Sequence, residues 1–508
     1  MDEAQAVASR GHSSELAAII RGMSVALLGS VLGGGLGFVF GVVMARMLDQ
    51  HDFGLMVLAV NLLSVGATVT IAGADYAAIR HVAAARTPGA KRGAMVAPIQ
   101  LAIRLNIGLA IVVAIFAEPI SRDLLGQPDF TKVLRAAALT LPLTVLAQMF
   151  SACLSGLEHA RGELVRKVVE QGGRIAFAVL VLWLGFGVVG ATLSMAAAAA
   201  VAAVAVGYTL YRSLPRGGKT EKSSPRAVFA FAWPQAIGNF ANQIWAVAIL
   251  VILSRSTDAR TVALFGAAFA VSQLPLLIYN AFVYRFSPAI ARLWDRGENE
   301  ALDQLLRSVT RWVAMFALPL YAVAIALPGP LLQIYGSNYR AAALAVTLMT
   351  IATLLNALAG PVENGLKMTG FVKLEMATNV VSTVLIVGVA AVLTPRYGLT
   401  GAAVSVLLYT IVRNVAKTYL LYRRVHMTAL SVSLLRPVLA ATVASILVVV
   451  INQYTSLGSS LLGTAALGTL LVVSYAFILL RVVGISSVDR RTLRLAFRPV
   501  GLSDSIVS

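Results

Sequence analysis

The sequence predicts an all-α polytopic membrane protein, and three observations carry that prediction. Hydrophobic residues make up 58% of the 508-residue chain and charged residues only 12%, against roughly 25% charged in a soluble domain. Apolar stretches of about 20 residues, the length a helix needs to cross a bilayer core, occur about fourteen times. Lys and Arg collect in alternate connecting segments, as expected where every second loop stays in the cytoplasm. Together these exclude a disordered chain, a collagen-like fibre, an ordinary cytosolic enzyme and a disulfide scaffold, since Cys153 is the one cysteine.

The predicted spans are 24–45, 54–76, 95–117, 136–156, 168–187, 189–210, 231–253, 263–284, 312–333, 341–362, 374–394, 400–421, 437–454 and 460–480. Transmembrane strands would alternate apolar and polar residues, and Ala-rich runs such as Met195 to Val206 do not. The first span is longer than a signal-peptide core and follows a long polar flank, so it is expected to stay as an anchor. With the N-terminus in the cytoplasm, cytoplasmic segments hold 29 of the 41 basic residues and outer segments hold 8. The other four, Arg104, Arg174, Arg413 and Lys417, fall inside spans. Both termini are then expected in the cytoplasm. The net charge of +19 becomes a topology signal, with anionic membrane lipids rather than nucleic acid as its partner.

The chain also repeats itself. Gly187, Gly190, Ala191 and Ser194 recur as Gly398, Gly401, Ala402 and Ser405, and Tyr208, Tyr211 and Arg212 recur as Tyr419, Tyr422 and Arg423. Earlier in each half, Arg46, Asp49, Gly156 and Leu157 match Arg255, Asp258, Gly365 and Leu366 at an offset two residues shorter. Six spans separate the copies, so both enter the membrane in the same direction and the repeat axis lies along the membrane normal. The expected organisation is an N-lobe of six helices (1–212), a basic cytoplasmic linker (213–230), a C-lobe of six helices (231–427), and two extra helices with a tail (428–508). Within the linker, Gly217 to Thr220 has the ending of a phosphate-binding loop. The first glycine of that motif is missing, so the segment is taken as a solvated basic linker.

Several short motifs resemble bacterial polysaccharide exporters: Ala45-Arg46-Met47-Leu48 followed by Asp52-Phe53-Gly54, Gly73 with Arg80, Ser287-Pro288, and the two Gly-Leu turns. These exporters are the O-antigen and exopolysaccharide flippases of the multidrug/oligosaccharidyl-lipid/polysaccharide exporter superfamily. The resemblance covers roughly residues 20 to 425. It implies movement of undecaprenyl-pyrophosphate-linked oligosaccharide across the bacterial inner membrane by alternating inward-open and outward-open states. A polysaccharide polymerase and a chain-length regulator would be partners in that pathway.

Ionisable groups in a bilayer cost at least ~2.5–3.5 kcal/mol each and are expected to face a cavity or a partner. Arg104, deep in the third span, is expected to face the central cavity, where its planar donors suit a pyrophosphate. The bland alternative is an arginine bonded to backbone carbonyls. Arg174 is a second phosphate candidate, and its spacing from Glu170 equally suits a local ion pair. Gln235, Asn239 and Asn242 share one face of the seventh span. The resemblance implies that this span lines the cavity. Amide groups suit sugar hydroxyls, although polar packing between helices would use the same residues. Asn280, Asn356 and Glu363 are weaker candidates. Pro234 and Pro361 are expected to kink their helices, and Ala289 to Arg311 to form an amphipathic surface helix.

No DxD, HExxH, CxxC or GxSxG motif occurs, the five histidines are scattered through loops, and neither metal nor cofactor is expected. A membrane polymerase or ligase would need a large catalytic outer loop, and the longest here runs only from about Glu118 to Arg135. A multidrug cation exporter would need carboxylates deep in the first lobe. A lipid II flippase would share the fold expected here.

Overall fold

The computed structural model describes residues 32–483, apart from 72, 158, 160, 216, 218–224, 281–289, 291–292, 428–433 and 456. Within 225–242 the only side chains described are those of Val228 and Phe240. The described residues are helical, with no strand among them. The first half of the chain forms α1 (Leu32–Met47), α2 (Gln50–Ile71), α3 (Ala74–Ala84), α4 (Pro88–Ile115), the short α5 (Ala117–Pro119), α6 (Phe130–Gly156), α7 (Arg161–Trp183) and α8 (Gly187–Ser213). The second half forms α9 (Pro225–Ser256), α10 (Ala259–Gln273), α11 (276–280), α12 (Asn299–Ala326), α13 (Pro328–Leu332), α14 (Ala343–Ala359), α15 (Val362–Met368) and α16 (Val372–Val425). Two last helices follow, α17 (Leu435–Thr455) and α18 (Leu461–Phe477).

A described helix overlaps each apolar stretch marked in the sequence. Nine helical segments among the described residues are long and apolar enough to cross a membrane. Helix α16 is 54 residues long and bends at Gly398, which breaks the helical backbone at φ +53° where the sequence divides two spans. Gly187, its repeat partner at the start of α8, has φ +59°. A side chain at either position would force a rarely tolerated left-handed backbone, which is why glycine recurs there.

Other repeated residues also play paired roles. Asp49 Oδ1 accepts the Asp52 N–H at 2.7 Å and Asp258 Oδ1 accepts the Thr261 N–H at 3.0 Å, so each aspartate caps the start of the next helix. The Arg212 guanidinium lies 4.9 Å from the Tyr208 ring centroid, and that of Arg423 lies 6.0 Å from Tyr419. Arg46 and Arg255 form a reciprocal clasp between the halves. Arg46 Nε donates to the Ile334 carbonyl at 2.8 Å and Nη2 to that of Gln333 at 2.5 Å, while Arg255 donates to the Asp123 carbonyl. Gln127 Nε2 reinforces the second contact by donating to the Ser254 and Thr257 carbonyls at 3.0 and 3.1 Å. Ser254 donates back to the Leu125 carbonyl at 2.9 Å.

Behind this clasp, α2 packs directly on α9 and α10. A Cβ on Gly54 would come within 1.8 Å of the Ala259 carbonyl oxygen, and one on Gly266 within 2.6 Å of Val57. Small residues therefore set the approach of the two halves, as in other helix contacts within membranes. Phe53, Tyr335 and Tyr339 plug the same end, with ring centroids 5.7–6.3 Å apart. Helices α17 and α18 pack against α12 through Leu318, Val448 and Leu471.

Two expectations change. The stretch expected as one surface helix, Ala289 to Arg311, begins outside the described residues and is broken within them: 290 and 293–295 are helical, and a turn at Arg296 and Gly297 (φ +71°) precedes α12, which runs unbroken from Asn299 to Ala326. Leu302 and Leu306 are buried against Leu366 and Leu421, so the apolar face of this stretch is covered by protein. Pro361 does not kink a helix either; with Gly360 at φ +77° it separates α14 from α15.

Replacing Gly54 or Gly266 by Val should force α2 from α10 and lower stability by about 1–3 kcal/mol, the usual cost of overpacking. Gly108→Ala, with nothing within 4 Å of its added carbon, should leave the melting temperature of the purified protein unchanged. Equal melting temperatures for all three variants would contradict this account of the contact.

Candidate functional site

Helices α2, α3, α6, α7, α8 and α9 surround a cavity of about 540 Å³. Its wall carries Ser64, Thr68, Asp75, Thr140, Thr144, Gln148, Arg174 and Gln243 beside Val60, Leu63, Leu141 and Met195. A second cavity of about 280 Å³ lies between the halves, lined by Phe40, Met44, Phe53, Met56, Phe265, Phe269 and Tyr335, with Asn61 and Gln171. Arg174 belongs to both walls.

Arg174 sits there because of a ladder of charges on one side of α7, built at helical spacings of three and four. Glu163 pairs with Arg166 at 2.8 Å and Lys167 at 3.3 Å. Glu170 then bridges Arg166 at 2.9 Å and Arg174 at 2.5 Å. Both carboxylate oxygens of Glu170 are occupied, and its side chain is 4% exposed. The ladder holds three cations against two carboxylates, so its cavity end keeps a positive excess.

Unused hydrogen-bonding capacity lies on residues of the cavity walls. Arg174 Nε, Gln171 Oε1, Asp75 Oδ1, Thr140 Oγ1 and Thr144 Oγ1 are all buried without a hydrogen-bond partner among the described residues. Buried polar atoms are ordinarily paired, and leaving one unpaired costs about 1–3 kcal/mol. Five such atoms around joined cavities form a surface suited to a polar ligand. One guanidinium edge can meet an anion, and hydroxyl, amide and carboxylate oxygens can meet hydroxyl groups.

The sequence candidates fare differently. Arg174 lines both cavities and is also ion-paired. Arg104 is exposed on α4, flanked by exposed Leu105 and Ile107, and stands on neither cavity wall. The reason is helical phase: inward-facing Asn106, which donates to Thr70 at 2.6 Å, lies two residues and about 200° away from it. Gln235, Asn239 and Asn242 lie on α9, but their side chains are outside the described residues. Their neighbour Gln243 does line the cavity and accepts from Ser64 Oγ at 3.4 Å. Asn280 is half-buried at the end of α11 and on neither wall.

A carboxylate that the sequence reading did not single out, Asp75, shares the larger cavity with Arg174. Asp75 falls at the very end of the predicted span 54–76, where a charge is unremarkable, and Thr140 and Thr144 look like ordinary span residues, so nothing in the linear pattern set them apart. The second half answers the ladder differently. Lys417, 2% exposed, lies 3.0 Å from both Glu363 and Glu375, and Glu363 also holds Lys367 at 2.6 Å. Asn356 accepts from Arg413 at 3.0 Å, and Asn379 donates to Glu375 at 2.7 Å. These contacts pin α14, α15 and the two arms of α16 together, and Arg413 Nε, like Arg174 Nε, is buried without a hydrogen-bond partner among the described residues. At the clasp end, Asp49, His51 and Asp52 gather closely. There Asp49 caps α2, and His51 lies 3.7 Å from Asp129 just before α6.

Known proteins share this architecture. The structure titled "Lipid II flippase MurJ, inward closed conformation" superposes with a TM-score of 0.69 at 14% identity, covering 90% of this chain and 98% of that one. An inward-facing multidrug resistance MATE family transporter of the MOP superfamily gives a TM-score of 0.68 at 14% identity, covering 80% and 98%. Both likenesses are of fold. By sequence, the chain is similar to "Succinoglycan biosynthesis transport protein ExoT" of Rhizobium meliloti (strain 1021), 24% identical over 316 residues. That match spans 60% of this chain and 60% of the relative's length. The model of the family described as "Polysaccharide biosynthesis protein" matches residues 19–294, more than half of the chain. On that match, with the multi-pass helical fold beneath it, this chain belongs to the polysaccharide biosynthesis protein family.

Proposed function

We propose that the protein carries a lipid-linked oligosaccharide with a phosphate-bearing headgroup across the bacterial inner membrane. Its cargo is the repeat unit of a cell-surface polysaccharide, and it works by alternating access. The observation that carries this reading is the set of unpartnered buried polar atoms on the cavity walls, Arg174 Nε among them. Arg174 holds the phosphate. Thr140, Thr144, Asp75, Gln148 and Gln243 hold sugar hydroxyls. Arg104, on the exposed side of its helix, is left outside the site. Family membership and the ExoT likeness support a role in polysaccharide export, and the MurJ and MATE likenesses supply a fold suited to it.

In this reading α1–α8 and α9–α16 are two lobes, both termini are cytoplasmic, and the chain makes fourteen crossings. The Arg46–Arg255 clasp then lies on the outer side, and the described state is closed outward. Outward opening must break the clasp and the α2–α10 contact. Partners are membrane lipids, a polymerase and a chain-length regulator.

Arg174→Gln should lower export about ten- to a hundredfold, the equivalent of one hydrogen bond to a charged group. Thr140→Val with Thr144→Val should lower it several-fold, and Arg104→Ala should leave it near wild type. Polymer yield, normalised to membrane-inserted protein, checks all three; the reverse ranking of Arg174 and Arg104 would overturn the assignment. Deletion of the protein should leave complete repeat units on the inner leaflet. Single units displayed outside would identify a polymerase defect instead.

A further inference from the structure

A third cavity, of about 240 Å³, lies between α2, α4 and α6 and is almost wholly apolar. Leu62, Val65, Gly66 and Val69 of α2, Leu109 and Val113 of α4, and Leu134 and Ala138 of α6 line it, with Ile120 at one end. Val69 is 41% exposed, so the groove opens at the protein surface. Its relation to the polar cavity gives it significance. Leu63 and Leu141 stand on the walls of both.

Helix α2 has two opposite sides. Val60, Ser64, Ala67, Thr68 and Ile71 face the polar cavity, while Leu62, Val65, Gly66 and Val69 face the groove, half a turn away. On α6 the groove is lined by 134, 138 and 141 and the polar cavity by 140, 141, 144 and 148. On α6 the groove is therefore centred about 8 Å nearer the clasp end, at 1.5 Å of rise per residue, while on α2 the two lie level.

We infer that this groove holds the polyprenyl tail of the transported lipid while its headgroup occupies the polar cavity, the stem passing between Leu63 and Leu141. The inference rests on the headgroup reading of the polar cavity given above. Two features of the site favour the cargo's own tail over a passing phospholipid. A two-leucine partition separates the groove from a site rich in unpartnered polar atoms, so one amphipathic molecule can fill both. The offset along α6 is also in the right direction: a lipid of the cytoplasmic leaflet points its tail outward, toward the clasp end.

Binding to the purified full-length protein tests this with two probes, inorganic pyrophosphate and geranylgeranyl pyrophosphate. In the wild type the isoprenoid probe should bind more tightly. Val69→Trp and Leu109→Trp, which fill the groove, should weaken it about tenfold, roughly the contribution of two buried methylene groups, and leave pyrophosphate binding unchanged. Arg174→Gln should weaken both probes. Wild-type affinity for the isoprenoid probe in both tryptophan variants would overturn the groove assignment. Unaltered pyrophosphate binding in Arg174→Gln would overturn the headgroup reading, so the two failures are distinguishable. A photoreactive benzoylphenylalanine at Val69 gives an independent readout in phosphatidylethanolamine vesicles. It should label undecaprenyl pyrophosphate in preference to the bulk lipid, whereas the same group at exposed Leu139 should show no preference; equal labelling at both positions would overturn the groove assignment.

Discussion

A charged group inside a membrane protein must be answered, by an opposite charge, by backbone carbonyls or by water in a cavity. Much of this structure follows from how each charge, buried or exposed, is answered. Glu170 answers Arg166 and Arg174 on one helix, and Glu363 and Glu375 answer Lys417 between helices. Arg46 and Arg255 are answered by carbonyls at the ends of helices in the opposite half. The last pair makes charge compensation a mechanical contact: the halves can separate at that end only if both guanidinium groups exchange protein carbonyls for water.

The repeat preserves geometry while chemistry diverges. Gly187 and Gly398 supply the same left-handed turn, Asp49 and Asp258 the same cap, and Arg46 and Arg255 the same reach across the interface. The polar interiors of the halves differ. In the first, the ladder on α7 ends in a guanidinium with a free edge beside two cavities. In the second, Lys417 sits between two carboxylates and is spent on joining helices. Backbone turns and caps tolerate few residue types, so they keep the repeat visible, whereas an interior site can be refilled by any set of groups that satisfies itself.

Helix α2 links the closed end to the cavities. Near its start, Gly54 admits the Ala259 backbone and Phe53 meets Tyr335 and Tyr339. Further along, one side of the same helix is polar and the opposite side apolar. A movement of α2 against α10 therefore changes the closure, the polar cavity and the apolar groove together, because a helix transmits displacement as a rigid body.

The sequence by itself determined the helical membrane class, the positions of the apolar stretches, the repeat and the ion pair between Glu170 and Arg174. Each depends on local composition or on spacing along one helix, and both survive in a linear string. Tertiary structure decided which polar residues share a space. Arg104 and Arg174 look alike in sequence, each an arginine within an apolar span, yet the phase of α4 leaves one exposed and off both cavity walls while α7 places the other on them. Asp75, Thr140 and Thr144 are distant in the chain and meet through the packing of α3 and α6. Lys417 and Glu375 are 42 residues apart and become neighbours because α16 folds back at Gly398. Helical phase and packing depend on every neighbouring side chain at once, and a pattern read one segment at a time does not contain them.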